Sequence, residues 1–320
     1  MPFCDLPAPF NLRQYYCINP HIADAALSFD TPDHPAPPSL DALDPTKPTV
    51  VFNHAGTSSS FSFVYQFRDQ RLSSAYNLVA FDTRYYGRCS DAEQLDHYQT
   101  LEERADELLA AIDIVVGDRP FAYFGESFVG AQCGAFIAAK RPNQVKAMIL
   151  VSPSFLEDPV EMCEVLETEW APLCATNKFG NGDGTGRLPD EAMDIVRDYF
   201  FSGCTHELER QDAFCRQYQY HHGPGQDMFR INQLLAWFRR KAPPKEVFEG
   251  VRCPVLLLGG TQDMTVNPSD ALQQWYDALV SVPEADKRIE RIVGGTHFLA
   301  TTDSNLVNNF AIKFLRRNMA

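Results

Sequence analysis

Residues 121–140 hold the feature that most restricts the fold of this chain. A short apolar run, Phe121–Phe124, leads into Gly125-Glu126-Ser127-Phe128, and Ala131–Lys140, small and apolar, follows closely. The first run reads as a strand and the last as a helix. Passing from strand to helix in so few residues forces a sharp corner. A serine on such a corner projects its Oγ above the sheet, where a substrate can meet it. The corner costs backbone strain, and chains keep strain of this kind at functional positions.

The rest of the chain alternates the same two patterns. Thr49–Asn53 is a β-branched run closed by Asn53-His54-Ala55-Gly56, and Asn77–Phe81 is a second buried strand ending at Asp82. Leu101, Ala105, Leu108, Leu109, Ile112 and Val116 recur at helical spacing, which predicts an amphipathic helix over Thr100–Val116. Ala147–Val151, Pro254–Leu258 and Ile289–Val293 read as further strands. Pro254–Leu258 is apolar throughout, as expected where both faces of a parallel sheet are covered. Asn267-Pro268 reads as a helix cap followed by a proline in the first turn. Leu306, Val307, Phe310, Ala311, Phe314 and Leu315 line a closing helix. Such alternation predicts an α/β fold, a mostly parallel sheet flanked by helices.

Two segments break the pattern. Thr31–Pro48 carries six prolines and reads as a surface linker. Ser154–Gly250 is rich in aromatics, Tyr199, Phe200, Phe201, Phe214, Trp237 and Phe238 among them, at mostly helical spacing. The expected organisation is a core in two parts, 1–153 and 251–320, with a helical cap inserted at 154–250. A chain of 320 residues is long enough for this.

Charge and cysteine content narrow the partners and the compartment. A net charge of -14 repels phosphate backbones, and no basic stripe invites nucleic acid or an anionic membrane. Met1-Pro2-Phe3-Cys4-Asp5 lacks the charged and apolar regions of a signal peptide, and no apolar stretch reaches bilayer length. Nine cysteines without a C-x-x-C pair read as reduced thiols. The expected location is cytoplasmic, with a monomer or a homodimer equally open.

An aliphatic hydroxyl is a poor nucleophile at neutral pH. It needs a base, usually histidine, and that histidine needs a carboxylate to fix its tautomer. Both stand at predicted strand ends. Asp263 follows Pro254–Leu258 in Gly259-Gly260-Thr261-Gln262-Asp263, and His297 follows the last strand in Gly294-Gly295-Thr296-His297. Strand ends in a parallel sheet converge on one edge, so Ser127, Asp263 and His297 could meet there. Glu157 and Asp158, after the strand ending at Val151, are the back-up acids.

Taken in order, these motifs resemble the α/β-hydrolase family. Asn53-His54-Ala55-Gly56 resembles the family's His-Gly turn, and Phe81-Asp82-Thr83-Arg84-Tyr85-Tyr86-Gly87-Arg88-Cys89-Ser90 its Asp-x-Arg-Gly-x-Gly-x-Ser loop. Gly125-Glu126-Ser127 resembles the nucleophile elbow. The resemblance implies Ser127, His297 and Asp263 as nucleophile, base and acid. It also implies an oxyanion hole from the amides of Phe128 and Gly56, with Ala55 the alternative to Gly56. His54 would brace its turn, and Arg84 and Asp82 would tie their loop together. Two departures stand out. Val129 occupies the place of the elbow's second glycine, which comes one later as Gly130, and a β-branched residue there needs more room. Ala55 replaces the glycine after the histidine.

The expected activity is that of a serine hydrolase acting on an apolar small-molecule carbonyl compound, an ester, lactone, thioester or diketone. An acyltransferase or lyase on the same scaffold is the alternative within enzymes, and a non-catalytic hydrolase-like ligand receptor the alternative outside them. No cofactor or metal is expected. Asn181-Gly182-Asp183-Gly184-Thr185-Gly186 imitates a calcium loop but has Ala192 where the bidentate glutamate belongs. No Gly-Lys-Ser/Thr follows it, so it is not a phosphate loop. His221-His222 with His206 and Cys215 fits no standard zinc spacing.

Overall fold

A computed structural model describes residues 3–21, 39–56, 58–89, 92–165, 167–168, 190–202, 204–221, 228–263 and 268–319. Residues 31–38 of the linker, the Asn181–Gly186 stretch, His222 and Asn267 lie outside the described residues.

Among the described residues eight strands form one sheet: β1 (Phe3–Leu6), β2 (Leu12–Ile18), β3 (Thr49–Asn53), β4 (Asn77–Phe81), β5 (Phe121–Glu126), β6 (Val145–Val151), β7 (Val255–Gly260) and β8 (Lys287–Ile292). Their order is β1-β2-β4-β3-β5-β6-β7-β8. The pairs β1/β2 and β2/β4 are antiparallel, and the other pairs are parallel. The sequence pattern does not reveal the β1–β2 hairpin. Its longer strand contains Gln14, which is fully buried because its amide donates to the Asp82 carbonyl at 3.2 Å. A polar residue at an inward position masks the apolar alternation that would reveal a strand.

The central strands are apolar on both faces, and period two still divides them. Val51, Val79, Phe81, Phe121 and Tyr123 pack on one side with the helices α3 (Leu101–Val115), α4 (Ser127–Lys140) and α10 (Pro268–Ala278). Val50, Phe52, Leu78, Ala80 and Phe124 pack on the other with α1 (Val64–Phe67), α2 (Gln70–Ser73) and α11 (Ser304–Asn318). Thr100 starts α3 with a capping box: its hydroxyl accepts from the Glu103 amide at 3.2 Å, and the Glu103 carboxylate accepts from the Thr100 amide at 2.7 Å.

Between β6 and β7 the chain forms α5 (Val160–Val165), α6 (Asp190–Phe201), α7 (Leu208–His221), α8 (Met228–Phe238) and α9 (Lys245–Gly250). Val196 and Phe201 of α6 join Phe214 and Tyr218 of α7 in a small apolar cluster with Ala55 and Phe298. Trp237 of α8 donates to the Gln99 carbonyl at 2.6 Å, and Gln233 donates to the same oxygen at 2.8 Å. Gly250, at the end of α9, lies against Ala139 of α4, where a Cβ would come within 2.8 Å of its methyl. No helix among the described residues is long and apolar enough to cross a membrane. The described cysteines are free thiols, all buried except the half-buried Cys163.

The parallel register decides where the functional loops fall. Asn53 pairs with Phe81 and with Gly125, Val151 with Glu126 and with Leu258, and Gly260 with Ile292. The carboxyl ends of β3, β4, β5, β7 and β8 therefore share one edge, the place where ligands bind in such sheets.

Candidate active site

Strand β5 ends at Glu126 and α4 begins at Ser127 with no residue between them. Ser127 takes a φ of 58°, the left-handed region, at a cost of order 1–2 kcal/mol for a residue with a Cβ. Two glycines make the corner tight. A Cβ at Gly125 would sit 2.5 Å from the Gly130 oxygen, and one at Gly130 would sit 2.7 Å from the Asn53 oxygen. The helix thus passes the strand at backbone distance, and Gly130 supplies the close approach one residue later than the usual pattern. Tyr123 locks the crossing: its hydroxyl donates to the Gly130 carbonyl at 2.7 Å and accepts from the Asn53 amide at 2.8 Å. Val129 finds its room at Gly56, where a Cβ would come within 2.7 Å of Val129 Cγ2.

Ser127 Oγ lies 3.0 Å from His297 Nε2, and His297 Nδ1 lies 2.9 Å from Asp263 Oδ2. The three residues are 4, 2 and 4% exposed, so water does not compete for these bonds. An ionised carboxylate only accepts, which puts the proton on Nδ1 and leaves Nε2 free to accept from the serine. Burial pulls the His297 imidazolium down. The charge and hydrogen bond of Asp263, helped by the charge of Glu126, outweigh that and hold it above the ordinary imidazole value.

Phe200 of α6 stacks on the His297 ring at 5.7 Å and 26°, and its carbonyl accepts from the His297 amide at 3.2 Å. Nothing in the sequence separates Phe200 from the other aromatics of its segment. The same helix brings Tyr199 close, and its phenol is pushed up to about 12 by burial and by the charges of Asp158 and Asp263.

Nothing in the sequence marks Glu126, beside the serine, as more than part of the motif. It is fully buried, and neither carboxylate oxygen has a hydrogen bond of good geometry. Burial raises its carboxyl to about 7; the Ser62 hydroxyl and the His297 charge lower it without offsetting burial.

The neighbouring loops are held by buried polar bonds. His54 Nε2 accepts from the Thr83 amide at 3.1 Å, while Nδ1 meets the Ala55 carbonyl at 2.7 Å and so carries the proton. Both ring nitrogens are committed, and the imidazole braces the turn that ends at Gly56. Asp82 accepts from the amides of Ser60 and Arg88, both at 2.8 Å. Gly87 closes this loop with a φ of 52°, and a Cβ there would lie 2.3 Å from Asp82 Oδ2. Arg84 points elsewhere, to Glu107 of α3 at 2.8 Å and to the Phe10 carbonyl at 2.5 Å. Asp82 and Arg84 therefore anchor opposite sides of the loop rather than each other.

Phe128 sits in the first turn of α4, where amides have no partner within the helix and the helix dipole favours negative charge. Its ring reaches Gly56, where a Cβ would lie 3.1 Å from Cζ. The two back-up acids pair with other groups: Glu157 with Lys241 at 2.6 Å, and Asp158 with Arg240.

A mostly parallel sheet with these residues on the loops at its carboxyl edge defines the alpha/beta hydrolase class. The profile of the alpha/beta hydrolase fold family matches residues 48–303, and the chain belongs to that family. None of the curated proteins compared with it matches the chain. Among solved structures, the enol-lactonase from Burkholderia xenovorans LB400 superposes with a TM-score of 0.67 at 15% identity, covering 98% of this chain and 100% of that one. MenH from S. aureus gives 0.67 at 15%, covering 88% and 98%. A thermophilic esterase from Thermogutta terrifontis gives 0.67 at 13%, covering 99% and 98%. At such identities the likeness is one of fold.

Proposed function

We propose that this alpha/beta hydrolase is a serine hydrolase. It cleaves an apolar small-molecule carbonyl compound (an ester, lactone, thioester or diketone) through an acyl-enzyme on Ser127. The observation that carries the reading is the unbroken chain from Ser127 Oγ through His297 to Asp263, at 3.0 and 2.9 Å. The names of two structural relatives, an enol-lactonase and an esterase, agree with it.

In this reading His297 Nε2 takes the proton as Ser127 Oγ attacks the carbonyl carbon. Asp263 holds the imidazole and stabilises the imidazolium. The amides of Phe128 and Gly56 receive the oxyanion, and losing one such donor costs roughly 3 kcal/mol of transition-state stabilisation. His297 hands the proton to the leaving group, then activates the water that clears the acyl group. The chemistry asks for no metal or organic cofactor. The aromatic rings of Phe200 and Phe238, packed on His297 and on Phe128, favour an apolar acyl or leaving group. A cytoplasmic protein acting on a small soluble substrate fits this reading.

Ser127→Ala tests it. Turnover of p-nitrophenyl acetate should fall by roughly 10⁴-fold or more, and fluorophosphonate labelling should vanish. A variant that keeps a tenth of the wild-type rate overturns the proposal. With labelled water, oxygen appearing in the product acid marks hydrolysis; its absence moves the assignment to acyl transfer.

A further inference from the structure

The two ends of the segment between β6 and β7 are joined by three ion pairs: Glu157 with Lys241, Asp158 with Arg240, and Glu167 with Arg239. The outer two are open to solvent, with Lys241 86% and Arg239 65% exposed, and such pairs are weak. The middle pair differs. The side chains of Arg240 and Asp158 are 7 and 0% exposed. Arg240 also donates to the carbonyls of Phe155 at 2.7 Å and Trp237 at 3.0 Å, while its Nε is buried without a hydrogen-bond partner. A buried ion pair is a poor device for stability, since apolar residues of the same volume often do as well.

Arg240 does something an apolar residue would not. Its guanidinium lies over the face of the Phe128 ring at 4.6 Å from the centroid, and the Phe238 ring packs on Phe128 at 4.9 Å. The edge of the Phe128 ring reaches Gly56. Phe128 is thus wedged between the base of the inserted segment and the turn braced by His54. The amides of Phe128 and Gly56 are the two assigned above to the oxyanion. The fixed cation also adds positive potential at the start of α4, where negative charge would develop.

We propose that Arg240, held by Asp158, is a positioning residue for acyl transfer: it clamps Phe128 against Gly56 and so holds the two oxyanion amides in place. The inference rests on the serine-hydrolase reading and extends it. A planar guanidinium suits this role because it can stack on a ring while its edge bonds a carboxylate.

The test is Arg240→Met, which keeps most of the volume. With p-nitrophenyl acetate, kcat should fall by about 10- to 100-fold while KM stays within about twofold, the pattern of an interaction made only in the transition state. Affinity for phenylboronic acid, whose serine adduct is tetrahedral, should fall by a similar factor. A folded variant with kcat and boronate affinity within twofold of wild type overturns the proposal. If Arg240→Met does not fold, Phe128→Leu takes its place; an unchanged kcat there is equally fatal. Ser127→Ala separates the two levels. Turnover without Ser127 refutes the hydrolase reading itself, whereas an inactive Ser127→Ala beside a wild-type-like Arg240→Met refutes the clamp alone.

Discussion

Gly130→Ala separates two opposing effects at the elbow. By helix propensity the change should stabilise: alanine exceeds glycine inside a helix by about 1 kcal/mol. The site opposes it. The new Cβ would lie 2.7 Å from the Asn53 oxygen, 2.9 Å from the Gly125 carbonyl carbon and 3.0 Å from Gly125 Cα. All three are backbone atoms that cannot rotate away. Ordinary contact begins near 3.4 Å, so α4 would have to lift from the sheet by several tenths of an ångström. Overpacking of this kind costs about 1–3 kcal/mol. The Tyr123 hydrogen bond to the Gly130 carbonyl is strained with it, putting about 1 kcal/mol more at risk. The clash and the strained bond together exceed the propensity gain, so the variant should lose about 1–3 kcal/mol in urea unfolding followed by tryptophan fluorescence. Ser127 rides on the same helix. A displacement approaching 1 Å can cost roughly 10²-fold, so kcat of the folded variant should drop about tenfold or more. A Gly130→Ala protein as stable as wild type, with full kcat, would mean that the close passage of α4 over β5 does not set the corner.

Two further outcomes concern the charges behind Ser127. The folded state raises the Glu126 carboxyl from 4.5 to about 7, so it binds that proton more tightly than the unfolded chain does. Its stabilising contribution is present below pH 4.5 and lost as pH rises through 7. Glu126→Gln should therefore gain on wild type by about 3 kcal/mol between pH 4.5 and 8, and equal pH dependence of unfolding would contradict this. His297 must be neutral to act as base, and its raised pKa sets the acid limb of kcat/KM above 6.5. Removing the Glu126 charge should move that limb to lower pH; a limb that stays put refutes the coupling. Asp263→Asn should lower kcat by roughly 10⁴-fold near neutral pH by removing the carboxylate that fixes the tautomer. Retention of even a hundredth of the rate would show that His297 takes its orientation from another group.

The parts legible in the sequence were those encoded by neighbours. Thr49–Asn53, Asn77–Phe81 and the capped helix from Thr100 follow from runs and periods a few residues long, and the structure places them within a residue or two. Strand ends were harder. β5 continues past Phe124 to Glu126 because Glu126 keeps its pairing with Val151, a partner the local pattern does not reveal. The β1–β2 hairpin escaped because Gln14 points inward to a carbonyl 68 positions away. Glu126, Phe200 and Arg240 escaped for a related reason. Each is ordinary in its own segment and acquires meaning from what packs on it.

The chain alone determined the alternation of strand and helix, the family those motifs define, and the order serine, aspartate, histidine at the ends of three of its strands. Periodicity and turn chemistry are properties of adjacent residues, and hydrophobic patterning is enough to encode them. Only the tertiary structure decided the 3.0 Å approach of residues 170 positions apart, the burial that lifts the Glu126 carboxyl, and the wedge of Phe128 between Gly56 and Arg240. Those depend on how two layers of helices close over a sheet. Distance and dielectric belong to the packed molecule and not to any stretch of its sequence.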